Sequence, residues 1–233
     1  MRVRRTAAVF FDVDFTLIHP GPRFQGSGYA SSCAPYGIAV DEARFEAAVA
    51  GASGLLDSPD QLYDHALFVR YTARIIELMG GAGPGIQEVA REIYDDWAEH
   101  RHFVLYDDVR DALQALTAQG YRLGLISNSH RPLESFEAHF DLAGLISVRV
   151  SSADHGYLKP HPSIFQSALD QMGVAAGQAA MVGDSLSHDI LGARQVGMRG
   201  ILIARGSAPA VDEPDLSVIR SLGELPRLLA EPR

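Results

Sequence analysis

The 233-residue chain contains one cysteine, one lysine and one asparagine. With Cys33 alone, an internal disulfide framework and a cysteine-based zinc site are both excluded. Long apolar runs are missing too, and a membrane-spanning helix needs roughly 20 such residues. Basic residues number 20 against 29 acidic ones, for a formal net charge of −9. Nucleic acid or an anionic membrane calls for the opposite balance, so neither partner is expected. The N-terminal segment starts basic and turns apolar, but Asp12 and Asp14 interrupt it before a signal-peptide core forms, and no small-residue cleavage site follows. The chain therefore reads as cytoplasmic. What is present is ordinary for a globular protein: 47% hydrophobic and 21% charged residues. A chain of this length buries a core without staples.

Short solid apolar runs recur and stop at polar residues. Ala7–Phe11 stops at Asp12, Leu123–Ile126 at Ser127, Leu145–Val150 at Ser151, and Ala179–Val182 at Gly183 and Asp184. Gly200–Ala204 is a fifth such run. These are the marks of strands buried on both faces of a parallel sheet. Helical patterns lie between them. Val109, Ala112, Leu113 and Leu116 share one face, with Asp107 as the expected N-cap and Gly120 as the stop. Pro162 starts a helix with an apolar stripe from Ile164 to Met172, and Leu186, Ile190 and Ala193 mark another. The fold class is therefore α/β, a Rossmann-like parallel sheet flanked by helices. Between Thr16 and Tyr106 the alternation fails, and no buried strand is predicted there. Helical patterns at Glu42–Val49, Gln61–Met79 and Ile86–Ala98 fill that stretch instead, separated by Gly/Pro punctuation. The expected organisation is an α/β core of residues 1–18 plus 104–233, with residues 19–103 inserted as a helical cap. The Gly/Ser-rich stretch Phe24–Tyr36 is expected to be a mobile entrance to the cap. One helix is expected over Val218–Leu229.

Ligands of open parallel sheets bind at the carboxyl ends of the strands, so Asp12, Ser127 and Asp184 are expected to converge. Asp12-Val13-Asp14 in extended form puts two carboxylates on one side. That arrangement serves a site for Mg²⁺, a nucleophile working with an acid/base, or simply a solvated turn. Asp184 completes an acidic site across the crevice. Asp189 either joins it or sits at a helix start, where the dipole favours a negative charge. Ser127-Asn128-Ser129 offers a hydroxyl and backbone N–H groups to a phosphoryl oxygen, or else a plain helix cap. Lys159 is the single lysine in a chain whose other basic residues are all arginine. A compact ammonium serves where a planar fork does not. His19, His130, His155, His161 and His188 read as loop residues, Cys33 as a small buried residue, and Tyr94 and Trp97 as core.

Taken together, the four segments resemble the four motifs of the haloacid dehalogenase-like superfamily. Phe11-Asp12-Val13-Asp14-Phe15-Thr16-Leu17 resembles the first motif, Ile126-Ser127-Asn128 the second, Leu158-Lys159-Pro160 the third, and Gly183-Asp184 with Asp189 the fourth. The inserted helical block is similar to the cap of one large subgroup. The resemblance implies a Mg²⁺-dependent phosphatase acting on a small-molecule phosphate ester. It makes Asp12 the nucleophile and Asp14 the general acid/base. Mg²⁺ would be held by Asp12, the Asp14 backbone carbonyl and Asp184, with Asp189 assisting directly or through water. Ser127 and Asn128 would hold the phosphoryl group, and Lys159 would balance charge. Dehalogenases of the superfamily lack an aspartate at position 14, so Asp14 favours phosphoryl transfer. Phe15 departs from the pattern, since many members carry glycine there. A phosphomutase and a non-catalytic binding protein are the alternatives. The mutase would need an arginine of the insert to hold a bisphosphate. Nothing in the pattern specifies an oligomeric state.

Overall fold

The computed structural model describes residues 6–57, 62–206 and 215–230. The strands among them are β1 (Ala8–Phe11), β2 (Ile18–Pro20), β3 (Phe103–Leu105), β4 (Arg122–Ser127), β5 (Ile146–Ser151), β6 (Ala179–Gly183), β7 (Arg199–Ile203) and β8 (Ser217–Ile219). Six form one parallel sheet in the order β5-β4-β1-β6-β7-β8. β1 and β6 are buried along their whole length, which is why they read as solid apolar runs. The chain builds outward from β1 through β4 to β5, then crosses back to β6, β7 and β8. The strand order therefore reverses beside β1. Phe11 is in register with Leu125 on one side and Val182 on the other, so β1, β6 and β4 end within two residues of one another at the same edge. That edge is the topological switch point, where such sheets bind ligands.

Two compact units divide the chain: Met1–His19 with Leu105–Arg233, and Pro20–Val104. The second unit is helical, with α1 (Gly26–Cys33), α2 (Phe45–Ala52), α3 (His65–Leu78) and α4 (Ile86–Asp96). α4 buries Ile86, Val89, Ala90, Ile93 and Tyr94, a stripe at helical spacing. Tyr94 stacks on Phe68 with ring centroids 5.1 Å apart, and Trp97 packs on Phe24 and Phe103. The Gly/Ser-rich stretch 24–36 forms helix α1 at its centre. Its Ser31 and Ser32 hydroxyls donate back to the carbonyls of Ser27 and Gly28, and Tyr29 and Cys33 are buried. Gly28 is needed there, because a Cβ would lie 2.1 Å from the Arg23 carbonyl oxygen. Gln61, expected to open a helix, lies outside the described residues; the helix that follows begins at His65.

Helices of the first unit are α5 (Val109–Ala118), α6 (Leu133–His139), α7 (Ser152–His155), α8 (Pro162–Met172), α9 (Gly192–Gln195) and α10 (Leu225–Ala230). Ile164, Phe165, Ala168, Leu169 and Met172 of α8 pack against the strands, as their spacing predicts. Four expectations need correction. The N-cap position of α5 is Asp108, not Asp107, and its side chain caps nothing in that helix. The helix expected at Leu186 is a π-helix over Leu186–Leu191 that passes into α9. Val218 lies in edge strand β8, not in a helix. A capping box between Ser221 and Glu224 starts the helical turn later, which leaves Ser217–Ile219 free to pair with β7. The insert also opens and closes on the short strands β2 and β3, which are too brief to leave a periodicity. Among the described residues, no helix is long and apolar enough to cross a membrane.

Candidate active site

β1 ends at Phe11, and the next residue, Asp12, still donates its N–H to Val182 at 2.9 Å. Asp12 is therefore held at the shared edge between β4 and β6. β6 ends at Gly183, which delivers Asp184 to the same edge. The π-helix that follows carries Asp189 back beneath Gly183, where an added Cβ would meet the Asp189 carboxylate at 2.2 Å. Oxygens of Asp12, Asp184 and Asp189 all lie within 4.8 Å of one another. π-turns often mark functional sites, because the wider turn repositions one side chain.

Lys159 answers this charge. Its Nζ donates to Asp12 Oδ1 at 2.6 Å, to Asp189 Oδ1 at 2.7 Å and to the Ile126 carbonyl at 2.8 Å. Lys159 as a residue is 3% exposed. Burial alone would lower its pKa, but Asp12 and Asp189 hold it above the ordinary lysine value. The peptide bond to Pro160 is cis. Asn128 was expected to hold a phosphoryl group; its side chain grips the Lys159 backbone, which leaves its backbone N–H for that role. Its Nδ2 donates to the Lys159 carbonyl at 3.0 Å, and its Oδ1 accepts from the Lys159 N–H at 2.7 Å. Asp189 has both oxygens engaged, one by Lys159 and the other by the Ser185 N–H at 3.1 Å.

Burial raises Asp12 to about 7 against the pull of Lys159, with Asp189 and Asp14 adding to the rise. Asp184 is open to solvent at its edge, yet the protein crowding it removes enough water to raise it to about 8. Asp12 and Asp189 push it the same way. Three carboxylates thus meet one ammonium, and the arrangement is short of positive charge. Hard oxygen donors so crowded suit a divalent cation such as Mg²⁺. Asp12 and Asp184 are the better placed ligands, since Asp189 is turned to Lys159 and Ser185.

Ser127, at the end of β4, is buried, and its Oγ has no hydrogen-bond partner among the described residues. A buried hydroxyl without a partner calls for one, and a phosphoryl oxygen would supply it. Asp14 follows just beyond the strand, close enough to Asp12 for its charge to add to the rise of that carboxyl. The strand stops at Phe11, and the Leu17 and Ile18 N–H groups donate to the Val13 carbonyl, closing a turn that holds Asp14. The Asp14 carboxylate accepts from Arg131 Nη1 at 2.9 Å, and the Arg131 side chain is fully buried. Arg131 was missed from sequence, because one arginine among many carries no local signal. Of the histidines expected in loops, His130 and His161 lie there, whereas His19 falls in β2, His155 ends α7 and His188 sits in the π-helix. His161 stacks on Tyr157, and His155 and His161 both bond the Ser163 hydroxyl.

A haloacid dehalogenase-like hydrolase family model matches residues 6–197. The chain is 30% identical to haloacid dehalogenase-like hydrolase domain-containing protein 3 of Danio rerio, over 95% of each chain. It is 30% identical to a phosphoserine phosphatase of Thermus thermophilus, over 69% of this chain and 70% of that one. Among solved structures, a HAD phosphatase from Thermococcus onnurineus superimposes with a TM-score of 0.69 at 27% identity, covering 98% of this chain and 100% of that one.

Proposed function

Because this chain belongs to the haloacid dehalogenase-like hydrolase family, we propose that it is a Mg²⁺-dependent phosphatase of small phosphorylated metabolites. The observation that carries the reading is the meeting of Asp12, Asp184 and Asp189 around Lys159, beside the unpartnered Ser127 hydroxyl. Asp12 and Asp184 would hold the ion, with Asp189 supporting it. When bound, Mg²⁺ would neutralise the carboxylates and the phosphoryl oxygens so that two anions can approach. The Asp14 carbonyl as a further ligand rests on the family resemblance alone.

Asp12 attacks phosphorus, and its new O–P bond forms as the bond from phosphorus to the leaving oxygen breaks. Asp14 gives a proton to that oxygen. Water then attacks the aspartyl-phosphate and passes a proton to Asp14. The bond to Asp12 breaks, releasing inorganic phosphate and restoring the carboxylate. Ser127 holds a phosphoryl oxygen, Lys159 fixes and balances Asp12, and Arg131 anchors Asp14 beside the crevice. Asp14 carries the choice of chemistry, since a halide leaves without a proton while an alkoxide needs one.

Phosphate release from a panel of small monoesters, with and without Mg²⁺, tests the reading. Wild type is expected to turn over only with the ion, and Asp12→Asn to lose at least about 10³-fold in kcat. Turnover unchanged in Asp12→Asn would end the nucleophile assignment. A phosphorylated isomer as product, in place of free phosphate, would mark a mutase.

A further inference from the structure

Resting on the phosphatase reading, we infer that the cavity beside Asp184 is a leaving-group subsite for an uncharged, apolar substituent, and that Phe15 is the residue that selects it. The cavity is about 320 Å³, within the range of small-molecule sites. Phe15, Tyr106, Leu186, Asp184 and Arg205 line it, and the end of β7 closes it. Asp184 belongs to both the cavity wall and the acidic cluster. A monoester with its phosphorus at Asp12 therefore has this cavity next to it.

Phe15 stands at φ 63°, in the left-handed region that bulky side chains avoid. The turn fixes it there, with the Phe15 N–H donating to the Ile18 carbonyl at 2.7 Å. The residue is 45% exposed, so the core does not offset the backbone strain. Strain and exposure at one residue on a cavity wall point to a ligand contact.

The cavity's cation is not offered to a ligand. Arg205 donates from Nε and Nη2 to the Thr16 carbonyl at 3.0 and 2.7 Å, pairs with Asp108 at 3.0 Å, and lies 3.7 Å over the Tyr106 ring. An anionic leaving group such as a carboxylate needs a free donor here. Close to half of the wall is polar, from groups such as Asp184 and the already paired Arg205, and the surface left for a substituent is that of Phe15, Tyr106 and Leu186. An apolar group is held by that surface, and one buried methylene's worth of contact already changes selectivity about tenfold.

The experiment measures kcat/KM on 2-phenylethyl phosphate and on phosphoglycolate with Mg²⁺, for wild type, Phe15→Gly and Phe15→Leu. Both substrates are primary alkyl esters, so their phosphoryl chemistry is alike. Glycine accepts the positive φ, and a thermal melt confirms that the variant folds. Wild type is expected to favour phenylethyl phosphate by about tenfold or more. Phe15→Gly should shrink that ratio by about tenfold, mainly through KM, while Phe15→Leu keeps most of it. Preference for phosphoglycolate, or a ratio indifferent to Phe15→Gly, overturns the inference while leaving the phosphatase reading intact. Failure of wild type to release phosphate from any monoester overturns both.

Discussion

Lys159 Nζ carries three protons, and each has an acceptor in a tripod of Asp12, Asp189 and the Ile126 carbonyl. A guanidinium presents its donors in one plane and cannot reproduce that tripod. This is the physical reason that the chain's single lysine stands here, and composition alone made the residue conspicuous. Lys159→Arg keeps the charge but displaces it. We expect it to lower kcat by at least about 10²-fold, the scale of losing one stabilising group, with the fold retained by circular dichroism. Wild-type kcat in that variant would show that any cation suffices. Neighbouring residues were less legible. Asn128, also single, stood out, but its bond to the Lys159 backbone depends on a loop that sequence spacing does not describe. Asp14 was found as a residue, but the turn that holds it and its Arg131 partner were not, because the strand's regular pattern ends at Phe11.

Asp108 acts on elements, not on the reaction. It accepts the Ser221 hydroxyl at 2.7 Å and the Leu222 N–H at 2.8 Å, and it pairs with Arg205. One carboxylate thus ties the start of α5 to the turn that leads into α10. Burial works to raise its pKa, but the bonds from Arg205, Ser221 and Leu222 prevail and hold it below its ordinary value of 3.8. A folded value below the unfolded one gives stability that is present above about 3.8 and disappears as pH falls through the lower folded value. Asp108→Asn should cost roughly 1.5–3 kcal/mol at neutral pH by urea denaturation, and the gap to wild type should close in acid. A gap that persisted at low pH would mean that the charge is not what matters. The same region shows where element prediction succeeds. Solid runs such as Ala8–Phe11 and Ala179–Gly183 are buried on both faces and legible from composition alone. Ser217–Ile219 is three residues on an edge, half covered, and took its structure from β7.

At the scale of the molecule, the parallel α/β sheet was readable because each strand ends in a polar residue at a common edge. The helices α3 and α4 were readable because their apolar faces repeat at helical spacing. Which carboxylates meet at that edge depends on register, and the outcome is a site with more negative charge than Lys159 balances. Asp12 raised to about 7 and Asp184 to about 8 both exceed the 3.8 of an ordinary aspartate. Values raised on folding give stability that is full below about 3.8 and is lost as pH rises through 7 to 8. The metal-free protein should therefore weaken toward alkaline pH. On the proposed reading Mg²⁺ would bind the ionised carboxylates, so its effect should grow over the same interval. At about a hundredfold above its Kd, the ion adds about 2.7 kcal/mol, roughly 5–10 °C in thermal midpoint for a chain of this size. Melts at pH 5 and pH 8, with and without Mg²⁺, should show the larger rise at pH 8. Asp184→Asn removes one repelling charge and one ligand together. It should raise the metal-free midpoint at pH 8 and abolish the response to Mg²⁺. An equal response in wild type and Asp184→Asn would place the ion elsewhere, because repulsion and coordination at this edge involve the same carboxylate.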